Sequence, residues 1–326
     1  MLFLLLSILI IVAQGLLGMA DWWVLCSNWL IAGMLSSLLA MLFTNLHLIS
    51  FNNRAYLIYG WVLLASTMNL SAICLDSDVE QWQQDLLVAG FAGLLSLAFT
   101  CWQQKDIPVK ALLLGVIVAF LALFYIPALL WVSFVIIVLS LLLCYSTHNL
   151  YCILSGILIG VWVLYCLVFL CLGGEEADNY IAGFAFRWDE LTYGMPDFLY
   201  EGQTRWIYPL FMVIMVGGFL IINLMQSNMN SLRERSIYSS LVWITMPLLL
   251  LLPTNWALYL NLCTVLMLVH LLLSLGNEHS NTALRGYKLL LSLLLFLGAG
   301  EPLLILLIDY VQTIDFSPLY SWWPWQ

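Results

Sequence analysis

Apolar residues run through this chain in long blocks, broken by short clusters of charged, amide or turn residues. Within the blocks the apolar character goes all the way round: in 2–19 the interruptions are Ser7, Gln14, Gly15 and Gly18. A helix that is hydrophobic on every side belongs in lipid or at the centre of a large core. A bilayer core about 30 Å thick needs about 20 helical residues to cross it. On that measure the blocks predict helices over 2–19, 24–50, 56–75, 86–101, 111–126, 128–144, 151–172, 206–225, 237–252, 255–274 and 289–309. The expected fold is therefore all-α, a polytopic transmembrane bundle of about eleven spans. It forms one integral membrane domain over 1–326.

Two pairs of blocks leave a choice open. Pro127 divides 111–144 and Pro253 divides 237–274, with hardly a polar residue at either turn. Each pair reads as two short spans or as one re-entrant hairpin, and both return the chain to the side it left. The pairs share an order of apolar run, proline, short turn, tryptophan (Trp131, Trp256) and second apolar run, a weak internal repeat.

The polar breaks carry sidedness. With alternate loops placed on opposite sides, one side collects Arg54, Lys105, Lys110, Arg233, Arg235, Arg285 and Lys288, seven of the nine basic residues. The other holds Asp21, then Asp76, Asp78, Glu80 and Asp85, then the 173–205 loop and the C-terminal tail. The positive-inside rule makes the first side cytoplasmic, so the N-terminus is expected in the cytoplasm and the C-terminus in the periplasm. Gly18-Met19-Ala20 loosely resembles a signal-peptidase site, but no basic residue precedes the first block, and a first span is the expected reading. Trp22, Trp23 and the Trp322-Trp323-Pro324-Trp325 tail suit the outer interface.

Composition narrows the classes. Hydrophobic residues make up 64% of the chain, charged residues 8%, and mean hydropathy is +1.02. That excludes a soluble enzyme and a disordered chain. A formal charge of -9 excludes a nucleic-acid partner, which needs basic residues. The lipid bilayer is the first partner. The eight cysteines lie in or beside apolar blocks with no CxxC pair, so they read as small core residues and no metal site is expected.

Few residues remain to carry chemistry. Glu301, in Gly298-Ala299-Gly300-Glu301-Pro302, lies inside the last block, and Asp309 follows near its outer end. An intramembrane carboxylate costs about 2.5–3.5 kcal/mol on insertion scales, so it marks a proton, ion or ligand site or a structural break. The 173–205 loop interleaves acids with aromatics, with Trp188, Asp189, Glu190 and Tyr193 at its centre. It is expected to fold on the outer face and meet other membrane or periplasmic proteins. His47 and His270 read as hydrogen-bonded residues near the cytoplasmic ends of their spans. Gln14, Asn45, Asn69 and Asn261 read as interhelical hydrogen-bonding residues, each worth about 0.6 kcal/mol.

Three stretches carry a resemblance: Asn53-Arg54-Ala55-Tyr56, the run from Gly115 through Leu123-Phe124-Tyr125-Ile126-Pro127 to Trp131, and Ser231-Leu232-Arg233-Glu234-Arg235. Their order resembles a Bacteroidota family of multi-pass inner-membrane proteins known as a domain of unknown function. The proline hairpin is also similar to hairpins of GT-C glycosyltransferases, which use polyprenyl-linked sugars. The resemblance implies the inner (cytoplasmic) membrane of a Gram-negative bacterium, a cell-envelope role and a fold of GT-C-like type. The glycosyltransferase likeness further implies outer-loop carboxylates as base or metal holder, for which Asp21, Asp76, Asp78 and Glu80 are the candidates. Asp21 stands alone in a loop of a few residues, where that pattern has a longer acidic loop.

Three functions follow as expectations. The first is a non-catalytic subunit or scaffold of an envelope complex, suggested by the scarcity of polar site residues. The second is a GT-C-like transferase acting on a polyprenyl-linked glycan. The third is a proton- or ion-coupled transporter using Glu301.

Overall fold

The computed structural model describes residues 2–17, 21–45, 55–74, 81–104, 106–186 and 256–276, with isolated helical positions at 237 and between 285 and 296. The helices are α1 (Leu2–Leu16), α2 (Trp22–Asn45), α3 (Ala55–Cys74), α4 (Gln81–Phe99), α5 (Pro108–Phe124), α6 (Trp131–Leu141), α7 (Thr147–Leu172), α8 (Gly174–Phe186) and α9 (Trp256–Gly276). A 3₁₀ turn over Ile126–Leu130 joins α5 to α6. The described residues contain no strand, and the fold is all-α. Two helices, α2 with 24 residues and α7 with 26, are long and apolar enough to cross a membrane by length and composition. The other apolar helices are shorter.

We call the end where α1 gives way to α2 the upper end, and the end where α4 gives way to α5 the lower end. The lower end is tied by specific hydrogen bonds. Lys110 Nζ donates to the Thr100 carbonyl at 3.0 Å and to Gln104 Oε1 at 3.0 Å. A cation there satisfies open carbonyls of α4's last turn and complements its dipole. Gln103 N donates to Leu142 O at 3.2 Å, and the Cys144 thiol donates to Cys101 O, so the ends of α4 and α6 lie side by side. Gln103 (φ 53°) and Leu143 (φ 60°) both take the left-handed conformation that closes such turns.

Asn149 completes this tie from the start of α7. Its Nδ2 donates to Cys144 O at 2.8 Å, and its Oδ1 accepts from Ile107 N at 3.3 Å. Ser146 caps α7, its Oγ accepting from Asn149 N at 3.1 Å. One buried side chain thus joins the α4–α5 and α6–α7 connections. Asn149→Ala should lower stability by about 1–2 kcal/mol, because it leaves a buried carbonyl and a buried N–H without this partner. The midpoint of thermal unfolding of the purified protein checks it.

The packing between helices is close where glycines allow it. α5 and α7 run parallel: Gly156 sits against Leu112 and Gly115, and Gly160 against Val116 and Ala119. α2 and α3 run antiparallel. Trp61 Nε1 donates to Trp29 O at 2.8 Å, their rings lie 4.4 Å apart, and Ser36 Oγ donates to Leu57 O at 3.3 Å. Gly33 leaves room for the Trp61 ring and Gly60 for Leu268 of α9. α9 is a central helix, with every described side chain from Leu258 to Leu273 buried.

Phe124, at the top of α5, meets Trp82 of the first turn of α4 edge-on at 5.6 Å. The 111–144 hairpin therefore reaches the level where α4 begins. Its apex is buried, with Tyr125, Ala128 and Trp131 at the core. The 237–252 half of the second pair lies outside the described residues.

Candidate functional site

Polar side chains buried between apolar helices are costly unless satisfied, so their positions are informative. Gln14 (α1), Asn28 (α2), Thr67 and Asn69 (α3), Gln84 and Asp85 (α4), and Asn261 and Thr264 (α9) are all 9% exposed or less. Contacts elsewhere on the same helices set their heights. Phe3 of α1 meets Tyr59 of α3 with rings 5.7 Å apart, and these helices run the same way. Eleven residues on from Phe3 is Gln14, and ten on from Tyr59 is Asn69. Phe43 of α2 meets Phe99 of α4, again in parallel helices. Fifteen residues back from each are Asn28 and Gln84. Gly60 of α3 meets Leu268 of α9, and the two helices overlap along their whole lengths only in the antiparallel sense. One heptad on from Gly60 is Thr67, and one heptad back from Leu268 is Asn261. At about 1.5 Å of rise per residue, these steps bring all five helices' polar groups to one level near the upper end.

Orientation separates the layer into two sides. A heptad is close to two full turns, so Thr67 and Asn261 lie on the facing stripes that carry Gly60 and Leu268. Asp85 stands two heptads from Phe99, on the stripe of α4 that meets α2, with Gln84 beside it. Helices α2, α4 and α9 are in mutual contact, and each carries buried polar residues toward the upper end, Asn28, Gln84 with Asp85, and Asn261. Asn69 stands nine residues from Gly60, about half a turn round, on the opposite side of α3. Both atoms of its amide are buried without a hydrogen-bond partner.

Several sequence expectations change here. Asp85, assigned to an outer loop, lies inside α4, which begins at Gln81 instead of 86. Within the polar run Gln81-Trp82-Gln83-Gln84-Asp85, Gln84 and Asp85 are buried while Trp82 stays exposed. Asn69 makes no interhelical hydrogen bond, and Asn45 is exposed at the end of α2. His270 is fully buried on α9, six residues before the end of that helix. Asn28 and Gln84 went unrecognised, and a lone amide in each successive apolar block was the available signal.

The remaining candidates divide plainly. Asp21 is exposed where α2 begins, and its carbonyl accepts from Leu25 N at 3.1 Å. Nothing described gathers other carboxylates to it. Asp76, Asp78, Glu80, Trp188, Asp189, Glu190, Tyr193, Glu301 and Asp309 lie outside the described residues. Of the 173–205 loop, α8 is described, and Asp178 on it accepts from Tyr165 Oη at 3.4 Å. Among the described residues no trio of His, Cys, Asp and Glu could hold a metal. No family model, curated protein or solved structure matches this chain.

Proposed function

We propose that this chain is a multi-pass inner-membrane protein that binds a small ion or polar solute at its buried amide layer, as an ion-coupled carrier does. One observation carries the reading: five packed helices each place an amide at the same height, together with the buried carboxylate of Asp85. Polar and ionisable groups at membrane depth are rare and line pathways for substrates, ions or protons. The layer sits partly on α9, whose described side chains from Leu258 to Leu273 are all buried. The eleven-span topology belongs to the same proposal. It is supported by Lys110 at the lower end and by Asp21 and Asp178 at the upper, the cytoplasmic and periplasmic ends respectively.

Reconstitution tests it. Proteoliposomes of the wild type on a solid-supported membrane should give a transient current on a sodium or proton jump, and Asp85→Asn should abolish it. A silent wild type, or equal currents from both proteins, tells against the proposal.

A specific observation favours the subunit reading alongside it. Trp162, Tyr165 and Phe169 form a ladder up the exposed face of α7, with rings 5.9 and 6.4 Å apart, leading to the acids of α8. An aromatic, acidic corner of this kind suits a protein partner in the membrane. Native co-purification in mild detergent should recover one, and a lone monomer under all conditions would argue against it.

A further inference from the structure

We infer that the corner where α8 folds back on α7 binds the primary ammonium headgroup of a phospholipid, held by the aromatic ladder of α7 and the carboxylates of Glu175, Glu176 and Asp178. This site is separate from the buried amide layer and needs no protein partner. One reversal of the chain builds it. Gly173 ends α7 with φ 105°, a conformation open to glycine, and its N–H donates to the Phe169 carbonyl at 3.1 Å. α8 then runs back beside α7. Gly174 opens it against the Phe169 ring, Ala177 is fully buried, and Asp178 accepts from Tyr165 Oη at 3.4 Å. Tyr165 stands seven residues, about 10 Å of helix, before the end of α7 at Leu172. At 26 residues α7 is about 39 Å long, longer than a hydrocarbon core of about 30 Å, so its ends stand among headgroups. The fold-back thus carries an acid from that end to the level where headgroups meet acyl chains.

Charge says what fills the corner. No Lys or Arg occurs between Thr147 and Phe186. Glu175 and Glu176 are exposed and make no hydrogen bond or ion pair with a described residue. Carboxylates at the edge of lipid call for a positive charge. The aromatics supply an independent pull in the same direction. Trp162 is 65% exposed and Phe169 50%, although both rings neighbour Tyr165. The face of an exposed ring attracts a cation, that of tryptophan most strongly. The occupant is a lipid because the face is open along its length: α7 packs mainly on α5 and α8, and Leu158, Leu167 and Leu170 are exposed beside the ladder. Hydrogen bonding then selects the headgroup. A primary ammonium has three N–H groups to donate to carboxylates, and a trimethylated one has none. An anionic headgroup would bring its charge against three acids.

The test uses the full-length protein in mild detergent. It is given an equimolar mixture of phosphatidylethanolamine, phosphatidylcholine and phosphatidylglycerol with identical acyl chains, and native mass spectrometry reads which lipid is retained. The wild type should keep the ethanolamine lipid about tenfold over either of the others. The triple variant Glu175→Gln, Glu176→Gln, Asp178→Asn should bring the three to near equality. Trp162→Leu, a change at an exposed position, should weaken the preference severalfold. If the triple variant does not purify, Trp162→Leu and Glu176→Gln alone decide the matter. Equal retention by the wild type, or an undiminished preference in the variants, would overturn the inference. So would a basic membrane protein found on this face in place of the lipid. Asp85→Asn should keep the lipid preference whatever it does to ion-driven current, so this site and the carrier reading stand or fall separately.

Discussion

Gly156→Ala should cost this protein a large share of its stability, whereas Gly93→Ala should slightly increase it. The two changes add the same methyl group to the interior of a helix. Each gains up to about 1 kcal/mol of helix propensity, because alanine replaces glycine. Only the surroundings differ. A Cβ at Gly156 would fall inside contact distance of the Leu112 carbonyl oxygen and 3.2 Å from the Gly115 Cα, all backbone of α5. At Gly93 it would meet nothing within 4 Å. Backbone cannot rotate away as a side chain can, so the methyl must force α5 and α7 apart along their length. Overpacking costs about 1–3 kcal/mol where side chains can adjust, and here the upper figure is the starting point. Gly115→Ala should behave like Gly156→Ala, since its Cβ would meet the Ile153 carbonyl oxygen. Thermal unfolding of the three purified variants checks the set. Equal midpoints for Gly156→Ala and Gly93→Ala would mean that the parallel pair is not held by this close approach.

That contrast shows which information the sequence carried openly. Helix existence followed from the apolar blocks, because burying so much apolar surface leaves few alternatives. Helix ends followed less well. Hydrophobicity alone starts α4 at 86, since Asp85 and the glutamines before it look like loop. It starts α5 at 111, because Lys110 looks like solvent. Burial of Gln84 and Asp85 goes with the earlier start of α4, a tertiary effect, whereas Pro108 in the first turn opens α5 earlier, a local one. The glycines of α7 stand four apart, at Gly156 and Gly160. That spacing is the small-residue signature of helix pairs in membranes, which a reading of hydropathy passes over. The amide layer was the least legible feature. Each member is a single polar residue in its own apolar run, and no spacing along the chain relates Gln14 to Asn69 or Asn28 to Gln84. Their common height emerges only when Phe3 meets Tyr59 and Phe43 meets Phe99.

Replacing Asn69 by leucine should raise stability while reducing activity. Most substitutions at a site 2% exposed destabilise, so the expected sign is unusual. It follows from the accounting of hydrogen bonds. Both polar atoms of the Asn69 amide are buried with no partner. A buried polar group left unsatisfied costs about 1–3 kcal/mol, and an apolar residue of similar shape removes that cost. Leucine is close to asparagine in outline, and helix propensity also favours it. The unfolding midpoint of Asn69→Leu should therefore rise by several degrees. A residue that costs stability and serves no function would be easily replaced, whereas functional sites carry such costs as part of their chemistry. Asn69 stands level with Gln14 and with the Asp85 cluster, on the other side of α3, so the ion-driven current should fall in the same variant that unfolds at the higher temperature. Asn69→Asp provides the opposing control: a carboxylate introduced at this buried position should lower the midpoint. A drop in the Asn69→Leu midpoint would show that the amide holds the bundle together, and the layer would then have to be read as packing on that side of α3.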